Sequence, residues 1–184
     1  MDSNKPELNK VPKVKLVSLE ICDRDQFVRD NQEAFRYGAM EEFGLRDNHF
    51  EEDNEIISRD TIEHAIDGEN AEAYSIVCDE EKVGGVVLSI DRDTRQGELE
   101  LLFVSPRCHS QGIGYAAWCE VERMHPEIRV WETVTPYFEK RNIHFYVNRC
   151  GFHIVEFFNG HHTDPNYPNP EEHDEMFRFQ KIME

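Results

Sequence analysis

Val104-Ser105-Pro106-Arg107-Cys108-His109-Ser110-Gln111-Gly112-Ile113-Gly114-Tyr115-Ala116-Ala117 joins an apolar, strand-like run to an amphipathic one. Pro106 lacks the N–H that a sheet ladder needs, so the strand stops there. Gly112 and Gly114 let the backbone turn tightly and come close to a ligand with no Cβ in the way. A helix starts at once after them: Ile113, Ala117, Val121 and Met124 recur at helical spacing and give it one apolar stripe, and His125-Pro126 ends it. A strand, a glycine loop and the unpaired N–H groups of a helix start together make a cradle for an anion.

Two nucleotide readings of that cradle can be weighed against their surroundings. No Lys-Ser or Lys-Thr follows the glycines, which excludes a Walker loop. Gly112, Gly114 and Ala117 do satisfy G-x-G-x-x-A, with Glu132 twenty residues beyond the first glycine. A dinucleotide fold, however, places its glycines directly after a strand and within alternating β and α units, and here residues 105–111 intervene.

Upstream, residues 73–78, 83–90 and 98–104 read as three strands separated by charged turns, an antiparallel meander. Residues 14–19 alternate as a first strand. Asp23 or Asp25 can cap a helix over 24–43, and Ser58 or Asp60 a second over 58–68. Downstream, 128–135 reads as a strand and 137–150 as a helix stopped by Gly151-Phe152, before a final strand. The expected fold is α/β of the α+β type, a mixed, mostly antiparallel central sheet flanked by helices. Residues 1–12, polar and carrying Pro6 and Pro12, read as a flexible N-terminal arm, and residues 13–184 as a single domain.

The 184 residues carry 20 Lys and Arg against 38 Asp and Glu, a formal charge of −18. No net cationic field is present to draw in nucleic acid or an anionic membrane, so neither is an expected partner. Five cysteines with no C-x-x-C pair suggest neither a disulfide framework nor a zinc knuckle, and fit a reducing cytoplasm. The first residues lack the apolar core of an export signal, and no apolar run approaches a membrane span, so a cytoplasmic protein is expected. His161, His162 and His173 have no recognised ligand spacing, and no metal is expected. Cys108, in the loop, is the thiol to test for reactivity.

The quoted run resembles the acetyl-CoA loop of the GNAT superfamily of N-acetyltransferases. That family's pattern is a strand ending in V-x-P, then Gln or Arg-x-x-Gly-x-Gly or Ala at a helix start. Val104-x-Pro106 and His109-Ser110-Gln111-Gly112-Ile113-Gly114 follow it, with His109 where Gln or Arg is usual. The order of elements over residues 13–183 agrees as well. The resemblance implies an acetyl-CoA-dependent N-acetyltransferase that moves an acetyl group directly to a primary amine, with acetyl-CoA as co-substrate. It implies that pantetheine lies along Leu102, Phe103 and Val104. The pyrophosphate would then sit on the amides of Ser110, Gln111, Gly112, Ile113 and Gly114, beside His109 and Tyr115.

The resemblance also implies a tyrosine acid four residues before the helix-ending glycine. Here that position is Val147, and Tyr146 stands one residue out of register, about 100° round a helix. A local bulge would restore it. The acceptor, a small molecule or peptide amine, would be walled by residues 37–58 and 158–174, both rich in acid. That suits a cation such as a polyamine, an aminoglycoside, or a lysine or N-terminal amine. A homodimer is compatible with the resemblance.

Aminolysis of a thioester needs a neutral amine, and an alkylamine with a pKa of about 10.4 needs a base. Glu98 and Glu100 share one face of an alternating strand, with Leu99, Leu101 and Phe103 on the other, and are the candidate bases. Glu98, Glu100 and Tyr146 make the expected catalytic set. The alternative is a non-catalytic acetyl-CoA-binding or regulatory domain, which His109 and the displaced tyrosine would suit.

Overall fold

A computed structural model describes residues 12–43, 55–165 and 175–184. The expected arm, save Pro12, and the acid-rich stretches 44–54 and 166–174 lie outside the described residues. Strands β1 (Val14–Ser18), β2 (Ala71–Cys78), β3 (Glu81–Asp91) and β4 (Gln96–Val104) form the antiparallel meander. Then β5 (Val130–Pro136) joins β4 in parallel, and β7 (Met176–Ile182) inserts antiparallel between β5 and β6 (His153–Phe158). The order β1-β2-β3-β4-β5-β7-β6, with one parallel contact, is a mixed and mostly antiparallel sheet, and the doubly wound arrangement is excluded.

Helix α1 (Arg24–Phe43) and α2 (Arg59–Ile66) cover one face of the sheet. Ser58 caps α2, its Oγ accepting from Thr61 N at 3.0 Å. Phe27 and Val28 of α1 and Ile62 of α2 bury against Val87, Leu101 and Phe103. Phe27 can meet Phe103 edge-on at 5.0 Å because Gly85 lies beneath, where a Cβ would fall inside both rings. Helix α3 (Ile113–Met124) covers the other face, packing Trp118 and Val121 on Val86, Leu88, Leu99, Trp131 and Phe179. The fully buried Trp118 and Trp131 rings meet edge-on at 5.3 Å.

Three sequence expectations need correction. The alternation of β4 breaks: Leu99 pairs with Leu88 and Leu101 with Val87, so a β-bulge leaves Glu100 as the extra residue. Leu99 therefore faces α3, while Leu101 and Phe103 face α1 and α2. They do not line one face together. The strand expected from residue 128 begins at Val130, because Ile128 N is committed to a turn with His125 O at 3.1 Å.

The helix expected over 137–150 begins only at Lys140. Tyr137 N bonds Glu175 O, and a turn from Pro136 O to Glu139 N precedes the helix. After α4 (Lys140–His144) the chain makes a π turn, Phe145–Cys150, before Gly151 ends it at φ +82°. The wider turn absorbs one residue, and Tyr146 is the one buried.

Candidate active site

Beyond β4, Ser105 N holds the strand end to Val83 O at 2.8 Å, and a 3-10 turn, Pro106–Cys108, leads into the loop. Ser110 and Gly112 take φ of +63° and +78°. Such left-handed steps turn neighbouring N–H groups towards one side, beside the unpaired amides at the start of α3. Gly112 is glycine for its φ, since a Cβ there would meet nothing nearer than Pro12 at 3.6 Å. Gly114 has no such constraint; a Cβ would rest against Phe145 at 3.6 Å and Val104 at 3.8 Å.

His109 fastens the loop to the strand, with Nε2 2.8 Å from Val104 O. A carbonyl only accepts, so this contact assigns the proton to Nε2, leaving Nδ1 towards Arg141 Nη1 at 3.4 Å. Tyr37 of α1 meets the same ring edge-on at 5.3 Å.

Beside the loop opens a cavity of about 420 Å³. Leu102, Phe103, Val104, His109, Ser110, Gly112, Ile113, Gly114 and Tyr115 all line it; of the expected cofactor residues Gln111 alone does not. The sequence reading missed two other walls. One is the small-residue face of α1, Ala34, Gly38 and Ala39 with Phe35, whose spacing of four and five residues is legible as a helix surface that can be approached closely. The other follows β5: Glu139, Asn142 and Phe145, with Arg141, His144 and Arg149 adding basic groups. Arg149 also lies over the Tyr115 ring at 5.1 Å. Among the described residues, no group of three or more His, Cys, Asp or Glu could hold a metal ion.

The cavity leads to a wedge in the sheet. Strands β4 and β5 pair only from Gln96–Glu98 to Val130–Glu132, then diverge. At the apex, Thr133 Oγ1 donates to Leu99 O at 2.9 Å. Tyr146 reaches this apex from the α3 side, its hydroxyl hydrogen-bonded with Thr133 and its ring 5.4 Å from Phe179 and 5.8 Å from Phe152. Burial pushes its pKa above the ordinary 10, and the nearby Glu139 carboxylate adds to that. Tyr146 does not line the loop cavity; it sits behind it.

Glu98 and Glu100 lie at the same wedge on the opposite face, outside the loop cavity. Burial, followed by the negative charges of Glu100, Glu132 and Asp164, pushes the Glu98 carboxyl up to about 7, with Arg178 opposing. Burial also raises Glu100, against the pull of His64 on α2. Glu132 accepts from Gln180 Nε2 at 2.9 Å. Two rows further out, Arg178 donates to Glu156 at 2.9 Å and to Asp164 at 3.2 Å. The acid and base candidates thus flank one opening from its two sides.

The chain matches the model of the Acetyltransferase (GNAT) family over residues 27–152. It belongs to the GNAT family. A curated relative, the uncharacterized protein YrkN of Bacillus subtilis (strain 168), is 44% identical over 180 residues, covering 94% of this chain and 95% of its own. Solved structures share the GNAT fold at low identity. The ribosomal-protein-S18-alanine N-acetyltransferase of Escherichia coli has a TM-score of 0.63 at 15% identity, covering 92% of this chain and 94% of its own. PaiA N-acetyltransferase of Thermoplasma acidophilum, solved with coenzyme A, gives 0.64 at 15%, covering 93% and 99%. Spermidine N-acetyltransferase of Vibrio cholerae, solved with CoA and spermine, gives 0.59 at 13%, covering 92% and 95%. GNAT membership carries CoA-dependent acyl transfer as the general chemistry, and the loop cavity is where this chain has the parts for it. Among the described residues no helix is long and apolar enough to cross a membrane.

Proposed function

We propose that the protein is an acetyl-CoA-dependent N-acetyltransferase acting on a cationic primary amine by direct transfer. The observation that carries this reading is the β4/β5 wedge, with a buried tyrosine on one side and a carboxyl titrating at about 7 on the other. A merely CoA-binding domain has no use for a carboxyl so costly to keep buried.

The fit to acetyl-CoA rests on the cradle. The amides from Ser110 to Gly114 suit a pyrophosphate, and Arg141 and Arg149 add positive charge that the chain as a whole lacks. Local dipoles and two arginines outweigh a distant net charge, which salt screens over about 8–10 Å. The β4 edge at Leu102–Val104 runs on past the last pair with β5 and suits the pantetheine amides, with Val104 O already taken by His109.

Glu98, near neutrality in its proton affinity, takes a proton from the incoming ammonium, directly or through water. Its pKa lies well below that of a free alkylamine, so burial and the surrounding carboxylates help by favouring the base's protonated form. A backbone N–H on the open edge of β4 stabilises the negative charge that develops on the thioester oxygen. Tyr146 gives its proton to the departing sulfur, so that CoA leaves as the neutral thiol, whose ordinary pKa is about 8.5, and the second proton that the nitrogen sheds as the amide forms restores Tyr146. Holding both reactants across one opening supplies much of the remaining rate.

A cationic acceptor fits the face that Glu98, Glu100, Glu132 and Asp164 share, and the Vibrio cholerae neighbour solved with spermine binds such an amine. CoA release with a panel of polyamines, aminoglycosides, lysine and peptides with free N-termini tests the reading. Turnover on at least one cationic amine is expected. CoA binding with no turnover on any of them would make the protein a binding domain instead.

A further inference from the structure

On the acceptor side of the sheet, Arg178 of β7 gathers groups from three parts of the chain. Its guanidinium donates to Glu156 of β6 at 2.9 Å and to Asp164, in the segment after β6, at 3.2 and 3.4 Å. Its Cζ lies 4.7 Å above the buried Phe158 ring, which His162 also stacks on at 5.6 Å. His162 returns to Glu156 at 2.7 Å, and Asn159 Oδ1 accepts from the amides of His161 and His162. The side chains of Arg178 and Asp164 are 18% and 11% exposed, so the pair is largely withdrawn from water.

An arginine that bridges two carboxylates, Nη1 on Glu156 and Nη2 on Asp164, is stiff, because the planar guanidinium fixes both partners at once. What it fixes matters for position. Gln180, two residues along β7 and on the same face, bonds Glu132, which pairs directly with Glu98. The Arg178 knot therefore lies on the same face of the sheet as Glu98, and together with the His162–Glu156 contact it ties the segment 159–164 to β6 and β7 there. Facing Glu98 are Glu100 from β4, Glu132 from β5, Arg178 from β7 and Asp164 from the tied segment.

We infer that Arg178 is a positioning residue for the amine acceptor: by holding Glu156 and Asp164 together it fastens the 159–164 segment as a wall beside Glu98. The inference rests on the reading of Glu98 as the base. The wall carries one cation and several carboxylates, so an incoming ammonium is attracted to this face of the sheet and is kept clear of Arg178 by repulsion.

The experiment compares Arg178→Met, Arg178→Lys and Asp164→Asn with the parent protein. It uses an amine substrate found in the panel and acetyl-CoA, and records the pH profile of kcat/KM, both KM values and the melting temperature. Arg178→Met should raise the amine KM about tenfold or more, with the acetyl-CoA KM within about twofold. It should also move the acid limb of the profile to higher pH, because a cation that favours ionised Glu98 is gone. Asp164→Asn removes a carboxylate that opposes ionisation, so its limb should move the other way, with a smaller rise in amine KM. Arg178→Lys should restore the limb but not the full affinity, since a single ammonium cannot grip both carboxylates.

Limbs moving in the same direction in Arg178→Met and Asp164→Asn would overturn the inference. So would losses in amine and acetyl-CoA parameters that merely track loss of folded protein. Should Arg178→Met fail to fold, Asp164→Asn still decides through the direction of its limb and its amine KM. Glu98→Gln separates the two readings: if that variant keeps the acid limb, the base assignment fails, and the amine KM ratios alone then judge the wall.

Discussion

Replacing Glu98 by glutamine keeps the shape of the side chain and removes its proton chemistry. In the folded protein the carboxyl titrates at about 7 against an ordinary 4.5, a difference worth about 3 kcal/mol at about 1.4 kcal/mol for each tenfold change in proton affinity. Solvent screening of a side chain that is only part-buried reduces this to about 1–2 kcal/mol. The sign follows from linkage. Between pH 4.5 and 7 the folded chain holds a proton that the unfolded chain has lost, so stability falls as pH rises through this window and is level above it. Glu98→Gln escapes that cost. At pH 8 it should melt about 2–8 °C higher than the parent, with the difference vanishing below about pH 4.5. Its kcat/KM should fall about 10²–10⁴-fold, and the acid limb near pH 7 should disappear. Calorimetric melts across pH, paired with thiol-release kinetics, give both readouts on one preparation. A variant equally active and still showing the limb near pH 7 would refute the reasoning; so would one destabilised at pH 8.

Other substitutions probe separate parts of the account. Gly112→Asp forces a side chain into φ +78° and adds a negative charge beside the cradle, so calorimetry should find CoA affinity reduced at least about 100-fold in a folded protein. Gly114→Ala meets only ordinary contacts and should keep CoA affinity within about tenfold by the same titration. Tyr146→Phe keeps the ring against Phe152 and Phe179, so kcat should fall about 10–100-fold while the melting temperature changes by no more than a few degrees. Asn31 is fully buried on α1, and among the described residues neither of its amide atoms has a hydrogen-bond partner. Asn31→Leu should therefore stabilise the fold by about 1–2 kcal/mol in urea titration, unless the larger side chain overpacks the site.

Much of the fold was legible because its cues are local. Ser58 before Arg59, the charged turns between β2, β3 and β4, and the glycine after Cys150 each act within a turn or two of the residue that carries them. The loop was legible for the same reason: Pro106, Gly112 and Gly114 punctuate the backbone wherever they stand. The bulge at Glu100 was not, since it depends on how Leu99 and Leu101 register against Leu88 and Val87, strands away from any motif. The extra residue after Tyr146 was visible as a register error, but whether a π turn would absorb it was settled by packing of Tyr146 against Phe152 and Phe179. Arg178 was invisible for a similar reason. Its partners Glu156 and Asp164 lie 22 and 14 residues away, and nothing in their spacing pairs them.

Direct passage of the acetyl group through the β4/β5 wedge is measured most plainly by initial rates with both substrates varied, alongside the mass of protein incubated with acetyl-CoA alone. Intersecting lines and an unmodified protein are predicted, because the proposed mechanism seats the amine on the Glu98 side and the thioester on the Tyr146 side at the same time. Parallel lines, with an acetyl group left on the protein before any amine is added, would contradict it.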